Sequence, residues 1–435
     1  MKNLIVVLTL NFIVLGFCKE ITFEEGLQLL YKNNAQLKVL ESKLIQAKYK
    51  KFETFSSWLP KATIQAQYTK LSQPQMDISK LPPQQRMFFE NMMSPTLISD
   101  KLYSLNFNIS QLVFSSGKIY SAYRISCLNY EIAKYEYEKT KQDLEIQYKE
   151  MFLKTLLAKK VLEVQKKAVE IAEENYKVSS EMYKEGRVSY LDYSSAKLNY
   201  SNAKISLLKM KNSYELAKEG LKNLLCLDTI VEPVGELESF YKEYSYELKK
   251  LEENIKDMYE IKIVDTQRKI LVNNLHIVRT ESLPIISLIG NYSWTVDDYE
   301  RNFDEWDDRY NWVVVLNWPI FSSGATFSKY KQARENVKQV EIAKKQLFDG
   351  LKLQLSSLYL TYQQLQETLK LSKENLDVAE ENYKVAKNYY LEGRISYIEL
   401  LQAELSLSSS KVNYYQSLAE YIIICEKLKK FGGVL

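Results

Sequence analysis

The chain repeats itself at a fixed distance, and a chain built this way folds as two copies of one structural unit. Ala172-Glu173-Glu174-Asn175-Tyr176-Lys177-Val178 returns unchanged at Ala379 to Val385. Glu185-Gly186-Arg187-Val188-Ser189-Tyr190 returns as Glu392-Gly393-Arg394-Ile395-Ser396-Tyr397, and Phe114-Ser115-Ser116-Gly117 as Phe321-Ser322-Ser323-Gly324. All three pairs lie 207 residues apart. Further upstream, Trp58-Leu59-Pro60 answers to Ser282-Leu283-Pro284 at an offset of 224, so the first copy carries 17 extra residues between Pro60 and Phe114. Insertions of that kind collect in loops.

Each copy must be built from long elements. The 435 residues include only 12 Gly and 8 Pro. No proline lies between Pro95 and Pro233, and none follows Pro319. Those stretches are rich in Glu, Lys, Leu, Ala and Gln, which favour helix. Leu347, Leu351, Leu355, Leu358, Tyr362, Leu365, Leu369 and Leu376 fall at helical spacing and form one stripe. A stripe this long needs partners along its whole length, as in a coiled coil. Each copy therefore starts with a helix, from about Phe23 to Trp58 and from about Tyr244 to Ser282. Leu-Pro stops it. Two alternating segments follow. Ser-Ser-Gly then opens a helix of about 65 residues, roughly 100 Å at 1.5 Å per residue. Gly186 or Gly393 allows the reversal, and a second helix returns to near Leu225 or Lys429. The expected organisation is a leader at 1–18, a first repeat at 19–228, a linker at 229–240 holding Pro233 and Gly235, and a second repeat at 241–435.

The alternating segments have period two, the signature of strands with one apolar face. Ala62, Ile64, Ala66 and Tyr68 alternate with Thr63, Gln65, Gln67 and Thr69. Tyr103, Leu105, Phe107 and Ile109 alternate with Ser104, Asn106, Asn108 and Ser110. The second copy supplies Ile286, Leu288, Tyr292 and Trp294, then Tyr310, Trp312, Val314, Leu316 and Trp318. Segments of 8 to 12 residues come close to the length that crosses a bilayer when tilted. Tyr103, Tyr292, Trp294, Tyr310, Trp312 and Trp318 resemble the aromatic girdles of membrane barrels. A barrel needs at least about eight strands, and an open edge does not survive in lipid. One chain supplies four, so subunits must combine. The loop from Val296 to Arg309 gathers Asp297, Asp298, Glu300, Asp304, Glu305, Asp307 and Asp308 without EF-hand spacing, as a solvated loop would.

Lys2 and the apolar run Leu4 to Phe17 read as a secretory leader. Two readings stay open: Gly16 and Cys18 as small residues before cleavage, or Cys18 as a lipidated N-terminus, for which bulky Phe17 is a poor fit. After residue 18 no apolar run is long enough for a membrane helix. Cys127, Cys226 and Cys425 fit neither a disulfide framework nor a zinc site, and Cys425 beside Ile422-Ile423-Ile424 reads as a buried small apolar residue. The one histidine, His276, aligns with Phe52 and reads as a packing residue. With 59 basic and 55 acidic residues there is no basic field for nucleic acid. No nucleophile set, phosphate loop or metal cluster stands out, so neither enzyme chemistry nor a cofactor is expected.

Taken in order, the Leu-Pro stops, the strand pair ending in Pro319-Ile320-Phe321-Ser322-Ser323-Gly324 and the turn Gly393-Arg394-Ile395-Ser396-Tyr397 resemble the TolC family of bacterial outer membrane efflux proteins. The resemblance covers nearly the whole chain after the leader. It implies a mostly α fold with a membrane β-barrel portion: long antiparallel helical hairpins forming an α-barrel, four strands per chain, and a homotrimer closing a 12-stranded barrel. It further implies an outer membrane location with a periplasmic helical extension, and an exit duct for tripartite efflux or type I secretion. The partners would be a periplasmic adaptor protein, an inner-membrane transporter and outer membrane lipid. The family's docking tips map to Gly186, Arg187, Val188 and Ser189, and to Gly393, Arg394, Ile395 and Ser396. Its periplasmic gate maps to Tyr183, Asp192, Tyr390, Glu399 and Gln402. Gln402 stands where a second acid is expected, and the arginines sit one place early, so the constriction is altered. Leu112 replaces the proline found at Pro319, which should leave the second strand less interrupted. A structural periplasmic coiled coil is the alternative; it would explain the helices and the leader but not the strands.

Overall fold

The computed structural model describes residues 19–72, 78–92, 100–297 and 303–432. The leader at 1–18 lies outside them, as do Asp298 and Glu300. In chain order the elements are β1 (Lys19–Ile21), α1 (Phe23–Asn33), α2 (Ala35–Phe55), β2 (Lys61–Lys70), α3 (Pro83–Met92) and β3 (Lys101–Phe114). Then come α4 (Lys118–Lys184), α5 (Tyr190–Leu224), β4 (Val231–Pro233), α6 (Leu248–Asn254) and α7 (Tyr259–Thr280). β5 (Ile285–Val296), β6 (Asp307–Asn317), α8 (Ala325–Leu391) and α9 (Tyr397–Gly432) complete the described chain. The two long helices, α4 and α8, each have 67 residues. None of the described helices is long and apolar enough to cross a membrane.

Two compact units divide the chain, one of Lys43–Lys134 with Ile263–Lys344, the other of the remaining segments. Each unit draws on both repeats, so compactness follows a line across the repeats and not the linker between them.

The first of these units holds a four-stranded antiparallel sheet in the order β2-β3-β5-β6. Its register lines up the apolar positions of the strands, with Asp308 of β6 an exception. One row across it reads Ile64, Phe107, Tyr292, Tyr310, and the next reads Ala66, Leu105, Trp294, Asp308. Between them lies Gln65, Asn106, Ser293, Arg309, and beside it Thr63, Asn108, Asn291, Asn311. A slip of one residue at any pairing would scramble both faces, so the alternation itself specifies register. β3 extends for 14 residues past Leu112, with its pairing to β5 shifted by a bulge between Leu112 and Phe114, whereas β6 stops after 11, just before Trp318-Pro319. The longer first hairpin connection is more than plain loop, since it contains α3.

The second unit is helical and is organised around one large apolar cluster. Tyr148, Phe152 and Leu156 of α4 meet Leu221 of α5, Leu355 and Tyr362 of α8, and Tyr421, Leu428 and Phe431 of α9. The linker contributes Val231 and Leu237, and β1 pairs in parallel with β4, which ties Ile21 into the same cluster. The leucine stripe of α8 is buried at Leu351, Leu355, Tyr362 and Leu365. Cys425 is buried as expected, and burial pushes its thiol up to about 11. Two readings of the sequence need correction. The helix expected from Phe23 to Trp58 is broken at Asn34, whose buried amide oxygen accepts from the backbone of Gln36 and Leu37 and starts α2 afresh. His276, read as a packing residue, is exposed in the single chain.

Candidate functional site

Both helical hairpins turn by the same backbone device. At the end of α4, Gly186 has φ +76°, its N–H donates to Tyr183 O at 3.0 Å, and Arg187 N–H donates to Met182 O at 2.8 Å. At the end of α8, Gly393 has φ +74°, with Gly393 N–H to Tyr390 O and Arg394 N–H to Tyr389 O both at 2.9 Å. This is the glycine-terminated helix end in which a left-handed residue lets two N–H groups cap the last turn. Arg187 and Arg394 thus occupy the position after the glycine, with side chains in solvent. Arg187 lies 3.6 Å from Glu185, Arg394 2.8 Å from Glu392, and the Arg394 guanidinium sits 5.7 Å from the Tyr389 ring centre.

The return helices start from reciprocal caps. Asp192 N–H donates to Ser189 Oγ at 3.1 Å, and Ser189 donates back to Asp192 Oδ2 through its N–H at 3.3 Å and its hydroxyl at 2.7 Å. Ser396 and Glu399 make the same set, with Ser396 N–H to Glu399 Oε2 at 2.8 Å. Asp192 and Glu399, singled out as gate acids, are therefore also capping-box residues. The Ser-x-x-acid spacing was present in the sequence and signals this role. Val188 and Ile395 are half-buried against a small core of Met182, Ala196, Tyr390, Tyr397 and Leu400.

The structure brings the two turns together. All eight turn residues line one open groove, with Asp192, Glu399 and Tyr390. Tyr183 and Gln402 are not among its lining residues. Tyr183 is 41% exposed and stacks on Tyr193 at 5.3 Å, whereas its repeat counterpart Tyr390 is 3% exposed. Burial raises the Tyr390 pKa, opposed by the neighbouring Ser179 hydroxyl. Guanidinium, hydroxyl and carboxylate groups around an open groove can make directional contacts to another protein.

The aromatic positions sit on the sheet, except Trp318, which follows the end of β6. Tyr103 faces Tyr68 across β2 and β3 with ring centres 4.8 Å apart. Tyr292 stacks over Tyr310 at 6.3 Å and lies 4.3 Å from Trp294. Trp312 lies against Gly290, and Trp318 Nε1 donates to Ser282 O at 3.1 Å. Tyr310, Trp312 and Trp318 are more than half exposed.

With this geometry in place, comparison with known proteins is decisive. The family model of the outer membrane efflux protein matches residues 26–226 and 271–434. The chain belongs to that family, whose members are outer membrane channels with a periplasmic helical extension. Its fold resembles CusC, described for conformational changes accompanying folding and transmembrane channel formation, at TM-score 0.79 and 15% identity over 94% of this chain and 91% of that one. It also resembles the VceC outer membrane protein of Vibrio cholerae, at TM-score 0.75, 15% identity, and 94% and 96% coverage. The CmeC outer membrane channel of Campylobacter jejuni matches at TM-score 0.73, 20% identity, and 94% and 85% coverage. No curated protein matches the chain in sequence. Family membership sets aside the periplasmic coiled coil without a channel.

Proposed function

We propose that the protein is the exit duct of a tripartite efflux or type I secretion system, a passive conduit that catalyses no reaction and needs no cofactor. Three copies close a 12-stranded barrel in the outer membrane. The hairpin tips dock on a periplasmic adaptor, which joins the duct to an inner-membrane transporter. The leader at 1–18 directs export, the halves at 19–228 and 241–435 form the tube, and the linker at 229–240 contributes to a belt around it.

One observation carries this reading. The sheet has two strands, β2 and β6, that pair on one side only among the described residues. In lipid an unpaired strand edge costs several kcal/mol per unsatisfied group, so a bilayer-spanning sheet must close on neighbouring copies. Tyr103, Tyr292, Trp294, Tyr310, Trp312 and Trp318 then meet the membrane interface. At the hairpin tips, Glu399 converging around a threefold axis favours cations, with Tyr183, Asp192, Tyr390 and Gln402 completing the constriction.

Planar bilayer recordings test this. The purified protein should form channels, and Glu399→Gln keeps the capping geometry while removing the charge. Weaker cation selectivity in the variant is expected. Unchanged selectivity removes Glu399 from the gate, and absence of channels overturns the duct.

A further inference from the structure

A buried carboxyl group joins the two hairpins above the turns. Glu404 of α9 is 5% exposed. It accepts from Asn175 Nδ2 of α4 at 2.8 Å and from Asn199 Nδ2 of α5 at 3.3 Å. Asn199 also donates to the buried Tyr397 hydroxyl at 3.3 Å. The two amides come from the first repeat and the acid from the second, so these bonds pin one hairpin to the other.

The surroundings from each element hold no compensating cation. α4 presents Asn175, and its neighbouring Glu174 is occupied by Lys387 of α8 at 3.2 Å. α5 presents Asn199, while Lys197 is exposed. α8 presents Tyr383, and α9 itself presents Tyr397. Among the described residues no lysine or arginine pairs with Glu404. Burial raises the Glu404 pKa, and the two asparagine amides offset this only in part. Burial likewise pushes the neighbouring Tyr383 hydroxyl up to about 12.

We propose that Glu404 is a proton-operated latch between the two hairpins of one protomer, holding the tips together when protonated and releasing them when ionised. An ionised carboxylate in this pocket is stabilised by hydration once the helices part, so ionisation favours the parted state. Once protonated, the carboxyl keeps both links by donating its hydroxyl to the amide oxygen of one asparagine, turned over, and accepting from the other, so the closed packing binds the proton more tightly than the parted one. Closure is therefore fully favoured below the ordinary carboxylate pKa of about 4.3 and is lost as pH rises through the raised value. Only the consequence for channel opening rests on the exit-duct reading; the latch itself is a property of the single chain.

Amide hydrogen exchange on the full-length protein in detergent tests it without any conduction. Exchange is read in the segments around Asn175, Asn199, Tyr383 and Glu404 between pH 5 and 8, after correction for the intrinsic pH dependence of exchange. Protection in these segments should fall with rising pH by up to about tenfold per unit, the limit for one proton. Glu404→Gln, a neutral group of the same size whose amide nitrogen donates to one asparagine turned over, should give a flat profile. A wild-type profile that is flat overturns the latch, as does a variant profile that follows the wild type. Should the variant not fold, the wild-type profile alone decides. Bilayer recordings over the same range then report separately whether the latch governs opening.

Discussion

Gly26 in α1 has no room for a methyl group. A Cβ there would lie 2.0 Å from the Tyr148 hydroxyl oxygen and 2.8 Å from its Cζ. That hydroxyl donates to Phe23 O at 2.9 Å, so the same contact docks α1 on α4. Gly26→Ala should destabilise the helical unit by about 1–3 kcal/mol, the usual range for overpacking. Tyr148→Phe removes the obstructing oxygen, and the double variant should recover part of the loss. Denaturant unfolding of the two single variants and the double variant in detergent measures this coupling; strictly additive effects would mean that the two residues do not meet. Residue roles of this kind were only partly legible beforehand. The turn glycines and their arginines could be read from the repeat, because a helix reversal needs a left-handed residue whatever packs around it. The capping function of Asp192 and Glu399 was equally local. The contact of Gly26 with Tyr148 was not, since it joins residues far apart in the chain.

Among the elements, the sheet shows how a local pattern needs distant partners to acquire its register. Alternation alone marked the strands and their faces. The pairing of β3 with β5 crosses from one repeat to the other, and it places Gly290 opposite Ile109 on one side and Trp312 on the other. The Trp312 ring covers this glycine: a Cβ at Gly290 would stand 2.6 Å from Cζ3 and 2.9 Å from Cε3. Gly290→Ala should displace the indole and weaken the β5–β6 pairing by about 1–3 kcal/mol. The temperature at which the folded form is lost on a heated gel-shift series should drop, and no drop would mean that the ring moves away freely. The helix lengths were legible because the proline gaps and the glycine at each turn are local signals. The break at Asn34 was not, because good helix formers flank it and the buried amide that restarts α2 acts through tertiary burial.

At the scale of the whole molecule, the edges β2 and β6, each paired on one side only among the described residues, set the strongest constraint. The proposed closure by three copies would make the β2 edge of one chain the neighbour of the β6 edge of the next. In a background with Cys127, Cys226 and Cys425 replaced, cysteines scanned along β2 against Tyr310 and Val314 of β6 should cross-link into species of two and three chains and no larger. A ladder beyond three would overturn the closure. The sequence by itself determined that the chain is duplicated, that its helices are long and where they turn, and that its strands carry one apolar face. Each of these is a periodicity or a backbone requirement that neighbouring residues impose on one another. Only the tertiary structure decided what the two copies become. Asn175 and Asn382 stand at the same place in an identical heptapeptide, yet Asn175 is 4% exposed and bonded to Glu404, while Asn382 is exposed. Tyr190 is 66% exposed and its counterpart Tyr397 is fully buried. Glu404 itself stands where the first copy has exposed Lys197. Identical local sequence gives identical helix, but burial depends on which side chains arrive from the other repeat, and those lie about two hundred residues away.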